Sequence, residues 1–133
     1  ADLVYRRSGL LGVSDISSDM RTLRASSAPE AVEAIALFEY RIVREIGSLA
    51  AALGGLDGLV FTAGIGEHDS ATRADVMNGC AWLGLIGDAA RNGTGKGRIS
   101  ADQSAVSTWV IPTDEEGMIA HHTAALLAAA PSA

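Results

Sequence analysis

The stretch Leu59-Val-Phe-Thr-Ala-Gly-Ile-Gly-Glu67 constrains this chain more than any other. Leu59 to Thr62 read as a short buried β-strand that runs directly into Gly64 and Gly66, and a helix begins again near Ser70. A strand that ends in paired glycines and turns into a helix brings bare backbone close to a ligand, commonly a nucleotide. The segment therefore points to an α/β fold with phosphate or nucleoside binding at the C-terminal end of a strand.

The glycine pair does not fit a dinucleotide fingerprint, which needs a third glycine three residues after the second. That position holds Asp69, and no acidic strand end follows about twenty residues on, so hydride transfer is rejected. The cluster Gly93-Thr-Gly-Lys-Gly97 resembles a phosphate loop only superficially. The motif requires glycine where Ala90 stands and a hydroxyl residue where Gly97 stands. It reads instead as a flexible basic loop within a Gly-rich polar segment, residues 87–98.

The 133 residues suffice for one compact domain over 1–133, and an apolar share of 48% supplies a core. A formal charge of −6, without a sustained basic run, lacks the electrostatic footprint of a nucleic-acid binder. No apolar run is long enough to span a bilayer, and the alanine-rich stretch Ala124 to Ala130 reads as the end of an amphipathic helix. The lone Cys80 excludes an internal disulfide and suits a reducing, cytoplasmic setting. No signal peptide is recognisable, and the opening on Ala1 suggests a truncated or processed piece.

Residues 3–16 are expected to be irregular or to form a short helix, and Ser17-Ser18-Asp19 to cap a helical turn over Met20 to Arg24. Ser27-Ala-Pro-Glu30 fits a capping box that opens a helix of about six turns. Its apolar face comprises Val32, Ile35, Phe38, Ile42, Ile46, Leu49 and Leu53, and Gly54-Gly55 ends it. A helix is expected from Ser70 to Gly79 and a strand from Val106 to Ile111. A last helix is expected to open on a second capping box, Thr113-Asp-Glu-Glu116, and to run to about Ala129. The long connection between the strands predicts parallel pairing. Two strands make a poor sheet, so a further strand is expected within residues 1–16 or outside the chain.

Three polar groups fall in this order: Asp19-Met20-Arg21, then Gly64-Ile65-Gly66 with Glu67 and His68, then Thr113 to Glu116. The latter two follow strand ends, where ligands collect in open α/β sheets. Phe61-Thr-Ala-Gly-Ile-Gly-Glu67 resembles the C-terminal signature of acetate kinases. Ser8-Gly9-Leu-Leu-Gly12, Ser17-Ser-Asp-Met-Arg21 and Val110-Ile-Pro-Thr-Asp-Glu-Glu116 follow the family order at matching distances. The resemblance covers essentially the whole chain but only about the last third of a typical member.

That resemblance implies part of a ribonuclease-H-like lobe of the sugar kinase, heat-shock ATPase and actin superfamily, with few parallel strands and flanking helices. It implies transfer of the γ-phosphoryl group of ATP to acetate, with Mg²⁺, giving ADP and acetyl phosphate. Asp19, Met20 and Arg21 would contact the adenine region, Gly64 and Ile65 would line the adenosine pocket, and Gly66 would keep the loop close. Glu115 would serve the Mg²⁺ site, through water or directly. No catalytic residue falls in this chain, because the acyl pocket and the transition-state groups belong to earlier sequence, so the isolated chain is expected to be inactive. A homodimer is implied as well. A propionate kinase, or a non-catalytic module kept for assembly, are the alternatives.

The residues suit these roles chemically. Met20 and Ile65 offer apolar faces to a purine. Arg21 can stack its guanidinium on a base or pair with Asp19, and a carboxylate suits a hard cation. As a plain surface feature, the Asp19–Arg21 turn would be a solvated ion pair. The chain departs from the family at several positions. His68 stands where the family usually has a ribose-contacting asparagine, a role histidine can fill as a donor. Asp114 also replaces an asparagine, and Gly117 replaces a larger apolar residue. His121-His122 replace Arg-Asp, and as helix neighbours they are not expected to share a metal.

Overall fold

The computed structural model describes residues 7–129. Strands β1 (Gly58–Phe61), β3 (Ser107–Val110) and β2 (Gly97–Arg98) lie side by side in that order. β1 and β3 run parallel, with Gly58 opposite Ser107 and Phe61 opposite Val110. The expected parallel pair is therefore present, but the sheet is mixed, because β2 joins β3 antiparallel. This third strand comes from the cluster expected to be a flexible loop. Residues 87–98 are ordered as helix α6 (Ala89–Thr94), capped by Asp88 and ended by Gly95 in the left-handed region (φ 63), followed by β2. Residues 9–14 of the opening segment are helix α1 (Gly9–Ser14) and supply no strand, and residues 1–6 of that expectation lie outside the described residues.

Helix α2 (Met20–Arg24) is capped by Asp19, whose Oδ1 accepts the Arg21 N–H at 2.8 Å. Helix α3 (Pro29–Leu53) is the longest and ends on Gly54 at φ 77, a conformation glycine takes without a Cβ penalty. The expected capping box at Ser27 does not form. The N-cap is Ala28, its side chain makes no cap bond, and Ser26 Oγ instead accepts the Ala28 N–H. Pro29 in the first turn removes one of the orphan donors that a cap would have served. The apolar face is also only partly used. Ile35 is buried and Phe38, Ile42 and Ile46 are half-buried, whereas Val32, Leu49 and Leu53 are exposed.

Helix α4 (Ala63–His68) follows β1 immediately, and helix α5 (Ser70–Gly79) follows α4, separated only by Asp69. Phe61, Val76, Met77, Cys80, Leu85, Ile99, Val106 and Val110 make one core between the sheet and α5. Complete burial of a side chain such as Val76, Ile99 or Val110 contributes about 1.5–3 kcal/mol apiece. Gly79 sets how closely α5 crosses α3, since a Cβ there would sit 2.7 Å from Val43 Cγ2. A second core joins Met20 and Leu23 of α2 to Ala31, Ala34 and Ile35 of α3, with Ile65 of α4 packed against it. Helix α7 (Glu115–Ala129) buries no described side chain, so the amphipathic pattern expected of it has no partner among the described residues. It starts two residues later than the expected box at Thr113, and Asp114 caps it by accepting the Gly117 N–H at 3.0 Å. No helix among the described residues is long and apolar enough to cross a membrane.

Candidate functional site

A groove of about 840 Å³ opens between α2 and the α4–α5 junction. Asp19, Met20, Arg21, Gly64, Ile65 and His68 line it, together with Arg24, Asp69 and Ser70. Gly66 does not line it. A Cβ at Gly66 would lie 3.3 Å from the Phe61 carbonyl carbon, so this glycine lets α4 fold back on the end of β1. Gly64 differs, because among the described residues nothing beyond its own helix backbone lies within 4 Å of its Cβ position, which is open space. Neither glycine carries the tight backbone of the turn. The left-handed residue is Ala63, at φ 59, where an L side chain is disfavoured. The groove floor is apolar, but Met20 is only 5% exposed and is shared with the small core, so its purine-facing area is narrower than the sequence implies.

Asp19 and Arg21 form the solvated ion pair considered above, with Arg21 Nη2 2.7 Å and Nε 3.2 Å from the carboxylate oxygens. The guanidinium and the Arg21 backbone N–H together pull the Asp19 pKa from 3.8 to about 2. The Arg21 side chain remains 91% exposed, so its flat face is free to meet a ring. A depressed carboxyl favours the native state above its unfolded pKa, and that contribution is lost as pH falls through the native value. The window here therefore runs from about pH 3.8 down to about 2. Arg21→Gln is expected to return Asp19 towards 3.8, measured by the pH titration of its carboxyl carbon in NMR spectra. A midpoint still near 2 in the variant would assign the shift to another group.

Two arginines that the sequence reading passed over hold the groove's walls. Arg24 reaches from α2 to Glu39 of α3 (Nη2 to Oε1, 2.6 Å), to the Thr72 hydroxyl (2.9 Å) and to Asp69 (Nε to Oδ2, 3.2 Å). It thereby fixes α2 against the start of α5. Burial pushes the Glu39 carboxyl up, and the Arg24 bond only partly offsets it. Burial also pushes Asp69 upward, but the Thr72 N–H, the Thr72 hydroxyl and Arg24 outweigh it and leave Asp69 below the usual carboxylate range. Asp69 also caps α5, accepting the N–H groups of Ala71 and Thr72 at 3.1 Å each.

Arg73 is only 1% exposed and, among the described residues, has no carboxylate within hydrogen-bond distance. Its guanidinium donates to the carbonyls of Gly66 (2.9 Å) and Glu67 (2.8 Å) at the end of α4, and to Asn92 Oδ1 and the Asn92 carbonyl (2.7 Å each) on α6. Asn92 Nδ2 in turn donates to the Ser70 carbonyl at 2.8 Å. A buried cation met by oriented dipoles is satisfied without a counter-charge. Arg73 thus clamps the floor of the groove from behind. The only sequence signal for it was an arginine on the apolar side of a short helix.

Glu67 works from the other side of α4. Its Oε1 accepts the N–H of Ala63 (2.8 Å), the N–H of Thr113 (2.9 Å) and the Thr113 hydroxyl (3.2 Å). The Thr113 N–H foremost, with these other donors, holds the Glu67 carboxyl below its ordinary range. Glu115, the candidate cation ligand, lies outside the groove, exposed in the first turn of α7. The rings of His121 and His122 stand edge to face at 5.8 Å on the same helix. No group of three or more His, Cys, Asp or Glu side chains able to hold a metal forms among the described residues.

The model of the acetokinase family matches residues 1–121. The chain belongs to the acetokinase family. It is 65% identical over 123 residues to acetate kinase of Rhodopseudomonas palustris strain TIE-1, covering 91% of this chain and 31% of that protein. It is 51% identical over 129 residues to acetate kinase of Rhizobium meliloti, covering 97% of this chain and 33% of that one. The crystal structure of Porphyromonas gingivalis acetate kinase superposes with a TM-score of 0.85 at 39% identity, over 95% of this chain and 33% of that chain. A propionate kinase from Francisella tularensis superposes with a TM-score of 0.81 at 34% identity, over 90% of this chain and 31% of that chain. This acetokinase chain thus spans about a third of the length of the curated relatives it matches. The α/β reading, and the assignment to part of an actin-like ATPase fold, agree with these superpositions.

Proposed function

We propose that this chain forms the adenosine side of the cleft of an acetate kinase, which converts ATP and acetate to ADP and acetyl phosphate. One observation carries the reading: the vacant side of Gly64 and the exposed guanidinium of Arg21 face one groove with an apolar floor. A purine needs a flat apolar slot with polar groups at its rim, and this groove has both. In this reading Arg21 lies over the base, Met20 and Ile65 support it from below, and Asp19 holds Arg21 in place. Gly64 admits the ribose, Gly66 keeps α4 seated on β1, and His68 donates to a ribose hydroxyl.

Mg²⁺ belongs to the same reading. Glu115 presents an exposed carboxylate at the start of α7, with Asp114 and Glu116 beside it in sequence. One hard oxygen ligand with water on its open side suits a cation that keeps most of its hydration shell. When bound, the ion would offset negative charge on the phosphates. Glu115 would hold it, through water or directly, and Asp114 would keep that turn in place by its bond to the Gly117 N–H. Acetate is favoured over propionate as acceptor because the 65% identical relative is an acetate kinase, whereas the propionate kinase superposed here is 34% identical. A cytoplasmic homodimer completes the reading, supported by the family resemblance and by a single, buried cysteine.

The test is made on a full-length protein carrying this segment. ATP- and acetate-dependent release of acetyl phosphate is expected, trapped as the hydroxamate, while the isolated 133-residue chain is expected to give none. A full-length protein that binds no ADP in calorimetry would overturn the reading. So would turnover by the isolated chain, which would place the acyl pocket within these residues.

A further inference from the structure

Glu67 uses one oxygen to hold two segments: the start of its own helix, and a segment whose Thr113 lies 46 residues beyond Glu67 in sequence. The first is the start of α4. Ala63, whose N–H Glu67 accepts, is the non-glycine residue at φ 59, and it leads directly into Gly64 and Ile65 on the groove. The second is the segment after β3. Thr113, held by both its N–H and its hydroxyl, stands two residues before Glu115. Next to the sheet the two segments also meet through the Ile111 N–H, which donates to the Phe61 carbonyl at 3.0 Å. Beyond that bond, the hydrogen bonds that join them among the described residues are those to the Glu67 carboxylate. Arg73 grips the carbonyl of the same residue from behind, so the Glu67 side chain projects from a fixed backbone. A carboxylate oxygen that takes three donors is a rigid junction, because charge-assisted hydrogen bonds are short and directional.

We infer that Glu67 is a positioning residue that holds the groove segment at Gly64–Ile65 in register with the segment bearing Glu115, so that nucleotide and cation binding are coupled. The inference rests on the nucleotide reading above. In it, Glu67 touches neither ligand and acts through Ala63 and Thr113. If the junction is broken, the groove keeps its lining and Glu115 keeps its carboxylate. What is lost is the fixed relation between them, and a coupling between two sites depends on that relation.

The experiment measures ADP affinity by calorimetry with and without Mg²⁺, in a full-length protein carrying this segment. The wild type is expected to bind ADP more tightly with the ion. In Glu67→Ala that enhancement is expected to fall by about tenfold, with the Mg²⁺-free affinity essentially unchanged. Glu67→Gln keeps a carbonyl oxygen in the accepting position and is expected to retain most of the enhancement. Thr113→Val removes one of the three bonds and is expected to lose an intermediate share, and it decides the question if the alanine variant does not fold. An undiminished enhancement in folded Glu67→Ala or in Thr113→Val overturns the coupling while leaving the nucleotide reading intact. The coupling is overturned in the same way if the wild type binds ADP without any enhancement by Mg²⁺. A wild type that binds no ADP overturns both.

Discussion

Arg73→Met is expected to destabilise the fold by about 3–5 kcal/mol. The variant fills similar volume but strands four acceptors: the carbonyls of Gly66, Glu67 and Asn92, and Asn92 Oδ1. Each buried acceptor left without a donor costs about 1–3 kcal/mol, and relief of the buried guanidinium charge offsets part of the sum. Arg73→Lys keeps the charge but not the planar fork that reaches both α4 and α6, so it is expected to recover less than half of the loss. Urea midpoints of a full-length protein carrying the segment measure the effect. Hydrogen exchange localises it, with residues 63–68 and 89–94 losing protection first if the clamp works as the geometry indicates. A loss below about 1 kcal/mol would mean that water or a neighbouring donor replaces the guanidinium.

Gly64→Leu is expected to weaken ADP binding by about tenfold to a hundredfold, equivalent to about 1.4–2.8 kcal/mol, with stability unchanged or slightly raised. Gly64 lies within α4 at ordinary helical backbone angles, and among the described residues its Cβ position meets nothing beyond its own helix backbone within 4 Å, so the protein itself has room for the side chain. Leucine is moreover the better helix former by several tenths of a kcal/mol. Because Gly64 lines the groove, a leucine there is expected to occupy space that the nucleotide would use. Stability and affinity therefore move separately, which a general packing defect would not allow. Full ADP affinity in the leucine variant would place the nucleotide somewhere other than against Gly64. Substitution at Gly66 cannot make the same distinction, because a side chain there pushes on the Phe61 backbone and disturbs fold and groove together.

The elements legible in the sequence are those whose signal is local. Helix α3 showed its apolar spacing and its terminal glycine, and the span of α5 from Ser70 to Gly79 was legible, whereas the glycine turn expected after β1 is helix α4, with the left-handed backbone at Ala63. The misread elements were decided by contacts that a short window does not contain. The Ser27 capping box lost to a start at Ala28–Pro29, and the Thr113 box failed because the Thr113 N–H and hydroxyl are taken by Glu67. Residues 89–98 carried loop-like composition, yet the edge of β3 and the Arg73–Asn92 bonds order them. Exposure of Val32, Leu49 and Leu53 shows the same limit in reverse, since an apolar stripe marks what can be buried and not what covers it.

Sequence by itself determined the chemistry on offer: the glycine-bearing segment after β1, the Asp19–Arg21 pair on a short helix, the acidic start of α7 and the family to which these motifs belong. Only the tertiary structure decided how these pieces are held. Arg24 meets Asp69 across 45 residues, Arg73 meets Asn92 across 19 and Glu67 meets Thr113 across 46. The physical reason is the range of the forces involved. Periodicity and turn preference act over a few neighbouring residues, whereas a hydrogen bond between distant residues exists only after the sheet and helices have brought its two ends within about 3.5 Å.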